Sequence, residues 1–552
     1  MGNFGSVPPT VLLTPSRLPL RTVVHCKLAC YGEFRDGALE PRILSAHFDC
    51  CEREEEHPSC GTGSPSLSIK FVAFCRSEPL SRAGSNGEIH IGMYKIKIIS
   101  FVLLILVAAK SLFAQSATVN WTTEHQTIDG FGAACSGLSA CDGMTAAQGQ
   151  AAFDPVNGIG LSLFRDILPG DESCATTCTF ISPVPVQYAL SYGARVWSGA
   201  LSPPASMKSN GSTICNTGSG NGSLLADSYA AYATYLKNYT TQFQARFGAP
   251  LYGISVQNEP DFCPKTYDGA VWTGTQIQTF VKNNLGPAMA GTGVKIMLPE
   301  MSWWNNMTSN PSNEADPCMT DSACAAYVGV VAGHDYTKQN QGFGAPDIGP
   351  YAHLGSAAHL WETETSLLTC CFDGSMADAL YWAQNIHTFM TVANLNAWHY
   401  WRLYNSQSTN DNEALIQGDG TIAKRFYVVG NWSKFVRPGW VRIGATSNPQ
   451  AGIYVTAFKD PLTGKFAIVA INQNTTSVNM DFSLSGFPSV TTVTPTLTSA
   501  SADLVDQVEA TLPGGSFSYA LPASSVVTFH GTASLSSSKA PAAPSNLTVI
   551  VH

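Results

Sequence analysis

The chain has 552 residues, 44% of them hydrophobic and 12% charged, with 48 Gly and 32 Pro. Charge this sparse beside so much apolar content excludes a disordered chain or a long coiled coil, and the length suits about two to four domains with a sizeable core. Thirty Lys plus Arg against 39 Asp plus Glu leave a net charge of −9. That is the wrong sign for a protein that binds by neutralising phosphates, so nucleic acid is not an expected partner.

The first clear signal along the chain lies near residue 100. Lys95 and Lys97 precede the apolar run Ile98 to Ala109, and a small-residue site follows at Ala114 before Gln115. A basic, then apolar, then small-residue order reads as a secretory signal over 93–114, with Met93 as the natural start. The run is shorter than the roughly 20 residues a spanning helix needs, so no stable membrane anchor is expected after cleavage. Residues 1–92 show no clear periodicity and read as translated upstream sequence without order. The expected location is therefore secreted, either extracellular or periplasmic. Cleavage leaves ten of the 16 cysteines. The close pairs Cys135/Cys141, Cys174/Cys178 and Cys318/Cys324 suit loop staples in an oxidising compartment, although spacing does not fix connectivity. No CxxC spacing or companion histidine pattern favours zinc. Adjacent Cys370 and Cys371 more readily bond two different partners than each other.

From 127 to 438, β-rich runs alternate with longer helical patterns. Strands are expected at Gly158–Ile167, Arg195–Ala200, Leu251–Val256, Val294–Leu298, His359–Thr363 and Asn396–Trp401, and helices at Asp227–Phe247, Thr275–Asn284, Met376–Ala393 and Ile422–Phe435. Repeated βα units of this kind suit a (β/α)8 TIM barrel or an open doubly wound sheet. The barrel is favoured because no Gly-rich phosphate turn follows the first strand, and polar and aromatic residues gather after strand ends. Beyond Pro438 helical periodicity stops. Short alternating strands at Gly452–Phe458, Lys465–Asn472, Val478–Leu484, Ser516–Leu521 and Ser525–His530 read as a side-associated all-β sandwich over 439–531, to which 118–126 contributes a strand. A Ser/Ala/Pro linker is expected at 532–544 and the start of a further module at 545–552.

The sharpest chemical signal is the apolar strand Ile254 to Val256 running into Gln257-Asn258-Glu259-Pro260. Proline ends the strand and leaves Glu259 at the C-terminal rim, where a barrel presents its catalytic groups. There Glu259 can serve as general acid/base and Asn258 can bind a sugar 2-OH; the plainer alternative is a glutamate capping the next helix. About 100 residues on, His359-Leu360-Trp361 leads into Glu362-Thr363-Glu364-Thr365. Two rim carboxylates on separate strands are what glycoside hydrolysis by double displacement needs. Alternation puts Glu362 and Glu364 on one face and does not choose between them. A solvated acidic rim or a cation site is the competing reading.

Ser202-Pro203-Pro204 with Met207 to Asn210, then Ala249 to Pro260, then Ser433 to Gly439, taken together and in this order, resemble glycoside hydrolase family 30, particularly its xylanases. The resemblance spans about 118–531. It implies a (β/α)8 barrel joined to a β-sandwich built from both ends of the domain, and a retaining mechanism. It makes Glu259 the acid/base and, through the pattern Leu360 to Glu364, makes Glu364 the nucleophile. Glu362 then stands where the family need not be acidic, either raising a neighbouring carboxyl or facing solvent. Arg165 matches a family arginine beside the nucleophile, whose charge keeps it ionised. Tyr336, in Gly333-His334-Asp335-Tyr336, matches a ring bordering the same carboxylate, while His334 reads as a packed histidine.

Among the aromatic residues near strand ends, Trp272, Trp303, Trp398 and Trp401, the expected sugar contacts are Trp272 and Trp401. The chain also departs from the family pattern. Trp401-Arg402-Leu403-Tyr404 lacks the paired arginines and tyrosine that clamp a glucuronate branch, Thr365 to Thr369 lacks the His-Tyr beside the nucleophile, and Leu201 replaces a tryptophan. Arg402 is the residue that could replace the lost charge. The expected protein is a monomeric, secreted, retaining endo-β-1,4-xylanase acting on xylan with doubtful glucuronate dependence, and no cofactor or metal is expected. The alternatives are a β-1,6-glucanase, galactanase or β-glucosidase on the same scaffold, or a non-catalytic carbohydrate-binding protein. Retention predicts the carboxyl groups of Glu259 and Glu364 about 5–5.5 Å apart.

Overall fold

A computed structural model describes residues 25–26, 44–47, 50–51, 68–71, 115–135, 141–218, 220–308, 313–336, 348–367, 371–408 and 410–535. Residues 1–111 form one unit and 112–552 another. In the first, His25–Cys26 pairs antiparallel with Cys50–Cys51, and Leu44–His47 with Ser68–Phe71. The expected signal run Ile98 to Ala109, Cys370 and the expected module at 545–552 lie outside the described residues. Among the described residues no helix is long and apolar enough to cross a membrane.

The second unit contains a closed barrel of eight parallel strands: Gly130–Ala134, Leu163–Leu168, Arg195–Ala200, Gly253–Ser255, Lys295–Met301, Val328–Gly333, His359–Glu362 and Ala397–Tyr400. The eighth strand pairs with the first, Trp398 opposite Phe131, and this closes the cylinder. Leu163, Trp197, Met297, Val330, Ala332, Trp361 and Ala397 fill its interior. The surrounding helices follow from local sequence. Tyr229–Phe247 buries Tyr232, Leu236, Tyr239 and Phe243 at spacings of three and four, and Gly248, at φ 72°, ends it in the left-handed conformation. Thr273 and Gln276 form a reciprocal capping box that starts Gly274–Phe280.

The sandwich sheet takes one strand from before the barrel, Gln115–Thr127, and the rest from after it. Gln115–Thr127 bridges two parts of the sheet, antiparallel to Val441–Ala445 and parallel to Val478–Ser485. Lys465–Asn472 is buried on both faces: Phe466, Ile468 and Ala470 enter the sandwich core, and Ala467, Val469 and Ile471 pack toward the barrel. The helix Lys424–Ser433 fastens the two layers. Asn431 donates to Thr528 Oγ1 at 3.0 Å, and Thr528 donates back to the Asn431 carbonyl at 2.7 Å.

Cys135–Cys141, Cys174–Cys178 and Cys318–Cys324 are bonded as local staples, and Cys215 pairs with Cys263 across 48 residues. This last bridge closes the loops beside the fourth strand. There the Lys208 ammonium is also buried, donating to Ser202 Oγ and to the carbonyls of Thr213 and Gly269.

Candidate active site

Five ionisable side chains converge, buried, at the C-terminal ends of the barrel strands. Arg165 comes from the second strand, Glu259 from just beyond the fourth, Glu300 from the fifth, His334 from just beyond the sixth and Glu364 from just beyond the seventh. Glu259 and Glu300 both have positive φ, 47° and 56°. This conformation is unfavourable for a side chain with a Cβ and is held by the surroundings. The Glu259 N–H donates to the Glu300 carbonyl at 2.9 Å, and the Asn258 N–H donates to the Ala200 carbonyl at 2.8 Å. The segment after the fourth strand is therefore pinned to both neighbouring strands.

Arg165, fully buried, organises the cluster. Its guanidinium donates to Glu364 Oε2, to Asn258 Oδ1 at 2.6 Å and to Glu300 Oε1 at 3.0 Å. Tyr336 donates to the other Glu364 oxygen at 3.1 Å, so an ion pair and a hydroxyl orient the two oxygens separately. His334 places Nδ1 3.2 Å from Glu259 Oε1 and Nε2 3.5 Å from Glu300 Oε1. One oxygen each of Glu259 and Glu364 and a His334 nitrogen lie within 4.8 Å of one another. These three are the described residues with donors spaced to hold a metal ion, and those donors already serve Arg165, Tyr336 and each other.

Burial works against charge on His334, yet Glu364, Glu259 and Glu300 outweigh it and raise its pKa to about 10. Both ring nitrogens then donate. Burial also opposes the charge of Glu300, but Arg165 and His334 hold its carboxyl below the ordinary range. For Glu364, burial raises the carboxyl, His334 and Arg165 pull it back, and Glu259 adds to the rise. Arg165 and His334 are therefore the groups that favour an ionised Glu364.

Asn258, Glu259, Glu364, Arg165 and Tyr336 are brought together; Trp272 is not. It is 3% exposed, 5.5 Å from Phe280 and stacked at 15° on Tyr229, with its N–H given to Gln257 Oε1. A ring enclosed by its own helix neighbours has no face left for a sugar, and Trp398 is likewise in the core. Trp401 is partly exposed, 5.8 Å from the Arg165 guanidinium. Arg402 lies 5.6 Å over the Trp401 ring and is paired with Glu413 at 3.1 Å. Glu362 does not face solvent: it is fully buried and accepts the backbone N–H of Glu364 at 2.7 Å.

Sequence reasoning missed Glu300 and Tyr267, and took His334 only as packing. Glu300 lies past the expected strand end at Leu298, whereas the strand continues through Pro299 to Met301. A carboxylate at that position was the available signal. Tyr267, 43% exposed, reaches Glu259 Oε2 at 3.4 Å from a loop that no periodicity marks.

The pattern for O-glycosyl hydrolase family 30 matches residues 187–336, and that for the glycosyl hydrolase family 30 β-sandwich domain matches 439–529. The glucuronoxylanase XynC of Bacillus subtilis (strain 168) is 33% identical over 430 residues, covering 76% of this chain and 93% of that protein. Xyn30A of Clostridium acetobutylicum, a family 30 subfamily 8 xylanase, superposes with a TM-score of 0.66 at 31% identity over 76% of this chain and all of its own. A family 30 endoxylanase from Clostridium papyrosolvens C71 gives 0.62 at 29% identity, with the same 76% and full coverage.

Proposed function

The chain belongs to glycoside hydrolase family 30, and from that premise we propose that it is a secreted, retaining endo-β-1,4-xylanase with little dependence on a glucuronate branch. The observation that carries the mechanism is the separation of Glu259 and Glu364, oxygens within 4.8 Å. So close an approach supports retention, whose carboxyl groups stand about 5–5.5 Å apart, over inversion, whose wider gap admits a water.

In this mechanism Glu364 attacks the anomeric carbon while Glu259 gives its proton to the leaving oxygen. A water then cleaves the glycosyl ester, with Glu259 taking the water's proton. Arg165 and Tyr336 fix the direction of the attacking oxygen. Because Glu259 Oε1 receives the His334 N–H, the transferred proton belongs on Oε2, the oxygen near the half-exposed Tyr267. Arg165 and His334 balance Glu300 and Glu364 before attack; once Glu364 becomes the glycosyl ester, the carboxylate left on Glu259 takes its place against the two cations, so the site stays balanced.

Xylan as substrate is supported by the names and coverage of the relatives. Weak uronate dependence is supported by Arg402, whose charge is already answered by Glu413. Trp401 is the proposed sugar platform. Secretion is supported by four disulfides and the signal pattern ahead of Gln115.

Mass analysis of products from glucuronoxylan, unbranched xylan and β-1,6-glucan tests the substrate. Mixed xylooligosaccharides released from both xylans at similar rates are expected, and cleavage of the β-1,6-glucan alone would replace xylan. NMR of the first product should show the β-anomer. Glu259→Gln and Glu364→Gln should each lose at least about 10³-fold in kcat on xylan with the fold intact.

A further inference from the structure

Glu362 is a buried acid that the catalytic scheme does not use, and it sits at the weakest seam of the barrel. Every other pair of neighbouring barrel strands registers over at least three residue pairs, whereas the seventh and eighth register at one, Trp361 opposite Ala397. Below the gap the Asn396 N–H donates to the Leu360 carbonyl at 2.9 Å, and above it the Trp401 N–H donates to the Thr365 carbonyl at 2.8 Å. Between these bonds the Glu362 carboxyl does the joining: Oε1 accepts the Glu364 N–H at 2.7 Å and Oε2 accepts the His399 N–H at 3.0 Å.

We propose that Glu362 is a positioning residue for the nucleophile, its side chain standing in for the backbone ladder missing where Glu364 leaves the sheet. The surroundings are built to keep it there. His399 Nδ1 donates to the Glu362 carbonyl at 2.9 Å, and its Nε2 accepts the Trp197 N–H at 3.1 Å. Donating at one nitrogen and accepting at the other requires a neutral ring, and burial keeps His399 neutral by lowering its pKa to about 4. Trp197 in turn lies 5.2 Å beneath the Arg165 guanidinium that binds Glu364. The nucleophile is thus held twice from one buried network, at its carboxylate through Arg165 and at its backbone through Glu362. Burial raises the Glu362 carboxyl well above the ordinary range, against the two N–H groups.

This inference rests on Glu364 being a covalent nucleophile, and its test separates the two. Wild type, Glu362→Ala, Glu362→Gln and Glu362→Asp are compared on an aryl β-xylobioside. Each is also compared by the rate at which an activated 2-fluoro-xylobioside labels Glu364, read by intact mass. Displacing a nucleophile by a fraction of an ångström to 1 Å costs up to about 100-fold. Glu362→Ala should lose about 30-fold or more in kcat and in labelling rate, with KM within about twofold of wild type. Glu362→Gln keeps an acceptor for one N–H and should recover to within about tenfold of wild type. Glu362→Asp, a methylene too short to span the seam, should stay with alanine. If alanine does not fold, the gap between glutamine and aspartate decides. A Glu362→Ala enzyme within twofold of wild type, a loss carried by KM, or aspartate restoring as well as glutamine would overturn the proposal. A wild type that cleaves xylan but is never labelled sinks the retaining reading and this inference with it.

Discussion

The mouth of the barrel and the heart of the sandwich are stabilised in opposite ways. In the sandwich, Phe482, Phe517 and Phe529 meet with ring centroids 4.9–5.0 Å apart, within a cluster of buried apolar side chains. At the barrel mouth Arg165, Glu259, Glu300, His334 and Glu364 are buried together, each needing a partner of opposite charge at a fixed distance. Apolar burial is non-directional and tolerates rearrangement of similar volume, whereas buried charge is tolerated only in one arrangement. The sandwich contributes stability and the mouth spends some of it on geometry.

The most severe way to break this contrast is Arg165→Met, which leaves Glu300 and Glu364 without their shared cation. We expect about 3–5 kcal/mol of stability to go in denaturant melts, together with at least about 10³-fold in kcat on xylan; a stable, active variant would show that the cluster is not ionic. Phe529→Ala should cost a similar about 3–4 kcal/mol and leave kcat/KM unchanged below the melting transition, since it touches only the sandwich core.

A pH series sharpens the comparison further. His334 has a folded pKa of about 10 against an ordinary 6.5. Its contribution to stability is therefore complete below pH 6.5 and lost as pH rises through 10. In His334→Asn the melting temperature should fall less steeply over that window, whereas Phe529→Ala should keep the wild-type slope. The smallest effect is expected for Trp272→Phe: about 1–2 kcal/mol from a lost hydrogen bond and some packing, with KM for xylan unmoved. A raised KM would return Trp272 to the cleft.

How much could be read in advance depended on whether the signal was local. Arg195–Ala200, Lys465–Asn472 and Ser516–Leu521 form strands over the residues their β-rich, alternating composition suggests. The first barrel strand, Gly130–Ala134, carries two glycines and two alanines and gives no such pattern; it is a strand because neighbours on both sides pair with it. Gly158–Ile167 was expected as one strand, but only Leu163–Leu168 joins the sheet. Trp272 illustrates the same limit for side chains. Its position after a strand suited a sugar platform, yet Tyr229, Tyr232 and Phe280 enclose it.

By itself the sequence determined the alternation of βα units, the change to all-β texture after Pro438, and the two motifs that end in Glu259 and Glu364, because each is written in consecutive residues. Only the tertiary structure decided that Glu300 and His334 join those carboxylates and that Glu362 turns inward to bridge two strands. Charge pairing acts through space between strands far apart in the chain, and no periodicity along one segment records which distant group will meet it.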